Sequence, residues 1–132
     1  MKVKQYIIAV VDDDEDDCEI LAAAFRENYD NTAVLAFNRG DDFLDFLKTA
    51  PNIPDLVVTD LYMPSLSGLE VIAKMKADAA LANVPIVLLS TIKNELAKQE
   101  VSAMQLVHYF VKPTNVIGYD LLSDTIMNLI FP

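Results

Sequence analysis

Three carboxylates, a hydroxyl and an amine stand at comparable places in this chain, each just after an apolar run. Asp12 and Asp13 follow "YIIAVV", Asp60 follows "PDLVVT", Ser90 and Thr91 follow "VPIVLL", and Lys112 with Pro113 follows "VHYFV". Clustered carboxylates repel one another unless a cation sits among them. Hard oxygen donors, few in number and with room for water, suit Mg²⁺. A carboxylate such as Asp60 can attack phosphorus only if the charge of the anionic phosphoryl group is neutralised. A divalent metal and Lys112 would do that, leaving an in-line transfer to positioning and electrostatics. The oxygens of the resulting acyl phosphate need donors, and Ser90, Lys112 and nearby backbone N–H groups can supply them.

The acidic run "DDDEDD" extends well beyond Asp12 and Asp13. Asp14 is a natural N-cap, and Glu15, Asp16 and Asp17 would occupy a first helical turn, where negative charge complements the helix dipole. These four are expected to form a capped, solvated helix start. Asp12 and Asp13 are expected to act at the site, because Asp60 and Lys112 recur at equivalent places.

Those places are set by the elements that carry them. "YIIAVV" is a short β-branched run that reads as a strand buried on both faces. Cys18, Leu21, Ala22 and Phe25 follow at helical spacing. "TAVLAF" is a second strand, closed by "NRG", and Phe43, Phe46, Leu47 and Ala50 mark a second helix. "PDLVVT" is a third strand. "GLEVIAKMKADAAL" is predicted to be helical throughout, with Ser67 as its N-cap. "VPIVLL" precedes a weaker helix over "NELAKQEVSAM", with Ala97, Val101 and Met104 on one side. "VHYFV" is a fifth strand, and Leu122, Ile126, Leu129 and Ile130 mark a last helix. Five βα repeats predict an α/β fold with a parallel sheet covered on both faces. Ligands bind such sheets at the carboxyl ends of the strands, where the strand order reverses.

The 132 residues fit one domain over 1–132, with no room expected for a second. A hydrophobic content of 53% and a charged content of 23% describe a globular chain. The net charge of -10 argues against direct nucleic-acid binding. The single cysteine, Cys18, precludes an internal disulfide and suits a reducing compartment. No apolar run approaches a membrane span and no export signal is convincing, so a cytoplasmic protein is expected. Only three glycines are present, and none forms a phosphate cradle after the first strand, which disfavours a flavin or nucleotide enzyme.

The stretches "VVDDD", "PDLVVTDLYMPSLSGLEVI", "VPIVLLST" and "YFVKP" resemble, in order and spacing, the receiver domain of two-component response regulators. The pattern D-x-x-M-P-x-x-x-G from Asp60 to Gly68, an acidic pair upstream and K-P downstream make that resemblance specific. It is similar above all to single-domain members, the chemotaxis-type regulators and those that partner phytochrome-like kinases. The resemblance implies a doubly wound, flavodoxin-like (βα)5 fold with strand order 2-1-3-4-5. It implies that Asp60 is the phosphoacceptor, that Asp13 binds Mg²⁺ directly and Asp12 largely through water, and that the backbone carbonyl of Tyr62 adds a ligand. Ser90 would be the switch hydroxyl, Lys112 the lysine that pairs with the phosphoryl group, and Tyr109 the aromatic that moves with Ser90. The bond from Lys112 to Pro113 is expected to be cis. Tyr62 and Ile92 would flank the path of attacking water and so set the lifetime of the phosphoryl group.

The implied function is a stand-alone regulator, phosphorylated by a sensor histidine kinase or phosphotransfer protein. It would switch an unknown downstream protein or relay phosphate, as a monomer or weak homodimer. Such a protein catalyses only its own phosphorylation and dephosphorylation. The alternative is a pseudo-receiver that works without phosphate, which the intact set Asp13, Asp60, Ser90 and Lys112 disfavours. Tyr62, Thr91 and "MQLVH" depart from common family residues and bear on rates and partner choice. His108 is expected at a surface or strand edge. Cys18, Met75 and Met104 are expected to pack. The apolar end "MNLIFP" could belong to the core or assist a dimer.

Overall fold

A computed structural model describes residues 4–132. Ten elements alternate: β1 (Tyr6–Val11), α1 (Glu15–Asn28), β2 (Thr32–Phe37), α2 (Gly40–Thr49), β3 (Leu56–Asp60), α3 (Gly68–Lys76), β4 (Ile86–Ser90), α4 (Glu95–Ser102), β5 (Val107–Val111) and α5 (Val116–Ile130). The strands form one parallel sheet in the order β2-β1-β3-β4-β5. The order reverses between β1 and β3, which opens a crevice above the ends of those two strands.

Period-two alternation divides the central strands between two apolar layers. Ile8, Val10, Leu56, Val58, Val87 and Leu89 face α1 and α5, where they meet Phe25, Leu122 and Ile126. Ala9, Val11, Val57, Ile86 and Leu88 face the opposite layer with Phe43, Ile72, Met75 and Val101. Every residue of β3 and β4 is buried, as a strand covered on both faces requires. The edge strands β2 and β5 are only partly covered, and His108 lies half-buried on β5. Cys18 is buried as expected, and burial followed by the negative charge of Asp12 pushes its thiol up to about 11. The apolar end is divided: Met127 is buried and Phe131 stacks on Tyr6 of β1 with ring centroids 4.0 Å apart, while Leu129 is exposed. Among the described residues no helix is long and apolar enough to cross a membrane.

Three expectations about the elements change. The third helix stops at Lys76 rather than continuing through Leu81. Asp78 ends it: its side chain accepts the Ala80 N–H at 2.9 Å, while its carbonyl accepts the Leu81 N–H at 2.9 Å. A short carboxylate that bonds the local backbone competes with helix, and here it wins. Asp60 and Ser90 are the last residues of β3 and β4 rather than the first residues beyond them. On α5 the inward face is Tyr119, Leu122, Ser123, Ile126 and Met127, and Leu129 is exposed.

Candidate functional site

The backbone at the crevice is held before any side chain acts. Asp12 is the first residue beyond β1; its N–H donates to the Phe37 carbonyl at 2.9 Å and its carbonyl accepts from Asn38 Nδ2 at 3.0 Å. Asp14 donates its N–H to Asp12 Oδ1 at 3.0 Å and accepts the Asp17 N–H on its own side chain at 3.0 Å, so it caps α1. The loop after β3 doubles back sharply. Leu66 N–H reaches the Pro64 carbonyl at 2.7 Å around Ser65, whose φ is 69°, forming a three-residue turn of the strained kind. Gly68 then lies so close to β3 that a Cβ would stand 2.3 Å from the Asp60 carbonyl oxygen. Any side chain at that position would push the strand end that carries Asp60. Ser67 and Glu70 complete a capping box that starts α3.

Within that frame one cation faces three carboxylates. Lys112 Nζ lies 2.7 Å from Asp12, 3.1 Å from Asp17 and 3.5 Å from Asp60. The Lys112 side chain is only 5% exposed, and those of Asp12 and Asp60 are 7% exposed. Carboxylate oxygens of Asp12, Asp13 and Asp60 fall within 4.8 Å of one another, and Asp13 is exposed. Three carboxylates thus face one ammonium and a fourth, Asp13, adjoins two of them, so charge remains to be compensated. The consequences appear in the acidities. Burial, then the charge of Asp12, pushes Asp60 up to about 7 against the opposing pull of Lys112. Burial also raises Asp12, although the hydrogen bond from Lys112 opposes it. Burial alone would lower Lys112, but Asp12, Asp60 and Asp17 together carry it above its ordinary value. A set of oxygen donors with excess negative charge and one water-facing member fits a hard divalent ion such as Mg²⁺.

The other side of the site is built from neutral groups. Ser90 is fully buried, and its Oγ lies 2.7 Å from the Ile92 carbonyl and 2.5 Å from the Tyr109 hydroxyl. Tyr109 Oη accepts the Asn94 N–H at 2.8 Å. The bonds therefore run in one direction: Asn94 N–H to Tyr109, Tyr109 O–H to Ser90, and Ser90 O–H to Ile92. Asn94 also caps α4 through its Oδ1, and its Nδ2 donates to the Tyr62 hydroxyl at 2.5 Å. Tyr62 is 56% exposed and Ile92 75% exposed.

Of the residues singled out in the sequence, Asp12, Asp13, Asp60 and Lys112 form one cluster, and Ser90, Tyr109 and Tyr62 share one hydrogen-bonded chain. Ile92 enters that chain through its carbonyl, while its side chain points to solvent. Two expectations are corrected. Asp17 is not merely a solvated helix-start charge, since it pairs with Lys112; it lies four residues before Leu21, at the border of the apolar stripe of α1, and that spacing was the available signal. The bond from Lys112 to Pro113 is trans, since no cis peptide occurs among the described residues. Trans is the lower-energy isomer of an X–Pro bond unless packing forces the other. Asn94 and Asn38 were missed, because an asparagine beside a helix start or a turn has no sequence mark of a second partner.

The family model described as the response regulator receiver domain matches residues 8–118. The chain belongs to that family. This receiver is 33% identical over 86 residues to the two-component response regulator ORR7 of Oryza sativa subsp. japonica, covering 65% of the receiver and 39% of that protein. It is 29% identical over 94 residues to the chemotaxis protein CheV2 of Helicobacter pylori, covering 70% and 30% respectively. The receiver therefore spans less than half the length of these two relatives. Among solved structures, the phosphorylated cyanobacterial phytochrome response regulator RcpA matches with a TM-score of 0.86 at 25% identity, over 95% of this chain and 93% of that one. The Mn²⁺-bound response regulator Rcp1 matches with a TM-score of 0.82 at 22% identity, over 93% and 92%. The chemotaxis regulator CheY4 of Vibrio cholerae gives 0.79 at 20% identity, over 97% and 100%. The last two likenesses speak for the fold alone. Family membership places the receiver in phosphorylation-based two-component signalling. Receiver domains are signalling modules that meet histidine kinases or phosphotransfer proteins and bind Mg²⁺ or Mn²⁺ at an acidic pocket.

Proposed function

We propose that the receiver is an Mg²⁺-dependent phosphorylation switch whose phosphoacceptor is Asp60. The observation that carries the reading is the Lys112 ammonium 3.5 Å from Asp60 inside a pocket with more carboxylates than cations. Asp12, Asp13 and the carboxylate of Asp60, with the backbone carbonyl of Tyr62, would hold the metal. When bound, it would neutralise phosphoryl charge and orient the incoming group.

The chain's own groups do the rest. An Asp60 oxygen attacks the phosphorus of a phosphohistidine on the kinase or phosphotransfer protein. The O–P bond forms as the N–P bond breaks, and the imidazole leaves. Lys112 turns its donor from Asp60 to a phosphoryl oxygen, a charge-assisted bond that stabilises the transferred group. Ser90 has one hydroxyl proton, now given to the Ile92 carbonyl. Donating it to the phosphoryl group requires Ser90 to rotate, and that removes the nearer acceptor of the Tyr109 hydroxyl, at 2.5 Å, leaving it the Ile92 carbonyl at 3.5 Å. Tyr109 and Asn94 are then free to rearrange, so a charge at Asp60 is read as a new surface around α4 and β5.

The test is intact-mass measurement after incubation with acetyl phosphate and Mg²⁺. The native chain should gain one phosphoryl group and Asp60→Asn none. Labelling of Asp60→Asn to the native level would overturn the assignment. In the same assay Asp13→Ala should lose metal dependence and most labelling, whereas Glu15→Ala should not.

A further inference from the structure

We propose that Asp17 is a positioning residue that holds the Lys112 ammonium beside Asp60 once Asp12 and Asp60 are engaged with a cation. The proposal rests on the reading of Asp60 given above. Lys112 has three N–H donors, and three carboxylates face them. Asp12 and Asp60 also belong to the group of carboxylates close enough to share a divalent ion, and Asp17 does not. When Asp12 and Asp60 turn their oxygens to that ion, Asp17 is the one partner left whose charge is not shared. The longest of the three contacts is the one to Asp60, at 3.5 Å, so that donor is the easiest to transfer to a phosphoryl oxygen. The contact to Asp17, at 3.1 Å, would keep the ammonium aimed while that exchange occurs.

The placement of Asp17 suits the task. Its backbone N–H is fixed by the Asp14 cap, so the side chain starts from a rigid first turn. It is half-buried, whereas its neighbours Glu15 and Asp16 are exposed and make no contact with Lys112. Helix-dipole stabilisation would treat all three acids alike. Of the three, only Asp17 reaches Lys112, and its charge is the next influence after burial on buried Tyr119 of α5. Without Asp17 the ammonium would have only Asp12 and Asp60 to pair with, and it would compete there with the ion and the phosphoryl group.

The test is a double-mutant cycle on the full chain, with Asp16→Asn as the charge-matched control. The first readout is the rate of labelling by acetyl phosphate at saturating Mg²⁺. Asp17→Asn should be slower by about tenfold and Asp16→Asn by less than about twofold, and Asp17→Asn should cost nothing further in a Lys112→Met background. The second readout is the ¹⁵N signal of the Lys112 ammonium, with and without Mg²⁺, assigned by its absence in Lys112→Met. It should be visible in the native chain and Asp16→Asn, and lost from Asp17→Asn in Mg²⁺; Asp17→Ala should repeat the result. An equal fold loss in the Lys112→Met background, an unchanged rate, or a retained ammonium signal in Asp17→Asn would overturn the proposal. A native chain that takes no label fails the Asp60 reading instead, and the ammonium signal then decides for Asp17 by itself.

Discussion

The two halves of the site are held by different forces. On one side, Asp12, Asp60 and Lys112 are almost wholly buried and bound by charge. On the other, Ser90, Tyr109, Asn94 and Tyr62 are joined by neutral hydrogen bonds that run outward to an exposed ring. Breaking a buried ion pair by removing one member costs about 3–5 kcal/mol, because the other charge is stranded. A neutral hydrogen bond is worth about 1 kcal/mol net. The charged half is therefore the fixed anvil of the site. The hydroxyl half is the part a phosphoryl group can move with the energy of one or two new bonds.

The largest expected effect comes from stranding the carboxylates. Lys112→Met leaves Asp12, Asp17 and Asp60 without their cation and should destabilise the metal-free protein by about 3 kcal/mol in denaturant unfolding. Mg²⁺ should restore most of that loss. Asp60→Asn should do the opposite and stabilise the metal-free protein by about 1–2 kcal/mol, since Asp60 ionises against burial and the charge of Asp12. A loss of stability in Asp60→Asn would show that the cluster is not under charge strain.

The same strain sets a pH dependence. In the folded protein Asp60 keeps its proton up to about pH 7, while in the unfolded chain it releases it near 3.8, the ordinary value of an aspartate. Between those values the folded state binds more protons, so the stability contributed by this group falls as pH rises. Unfolding of the metal-free native chain against Asp60→Asn, at several pH values across that window, isolates the slope. Excess Mg²⁺ should flatten it, because the ion takes the place of the proton.

How much of this was legible in the sequence follows the same division. The apolar runs located all five strands, and β1, β2 and β5 match their runs residue for residue, although the edge strands β2 and β5 are only partly covered. The charged residues were legible as strand-end positions, since the topology of a parallel sheet brings those ends together. Residues that work by direction were harder. Asp17 sits in a run of like residues, and nothing but its helical phase separates it from Asp16. Asn94 reads as an ordinary helix cap, and its bonds to Tyr109 and Tyr62 depend on the middle of β5 and on the loop after β3. The end of α3 was misread because apolar and alanine-rich residues continue past Lys76, while one Asp78 carboxylate captures the backbone.

Smaller effects probe the hydroxyl half. Phosphoryl loss requires water in line with the Asp60–phosphorus bond, and we expect the Tyr62 ring and the apolar Ile92 to hinder and misplace it. Tyr62→Asn with Ile92→Glu should speed decay of the phosphoprotein by about tenfold in excess Mg²⁺. Decay no faster than native would remove shielding from the account. Tyr109→Phe deletes the hydroxyl between Ser90 and Asn94 and should cost about 1 kcal/mol of stability. Its labelling at Asp60 should remain near native, because the charged half is untouched.

The claim that one half moves while the other stays is tested most directly by amide hydrogen exchange at two residues. Asn94 donates its N–H to Tyr109 in the hydroxyl half, at 2.8 Å, and Asp14 donates its N–H to Asp12 in the charged half, at 3.0 Å. Exchange is followed in Mg²⁺ before and after phosphorylation of the native chain, with Asp60→Asn as control. The account predicts faster exchange at Asn94, no faster exchange at Asp14, and no change at either residue in the control. Equal protection of Asn94 in both states, or loss of protection at Asp14 alone, would contradict it.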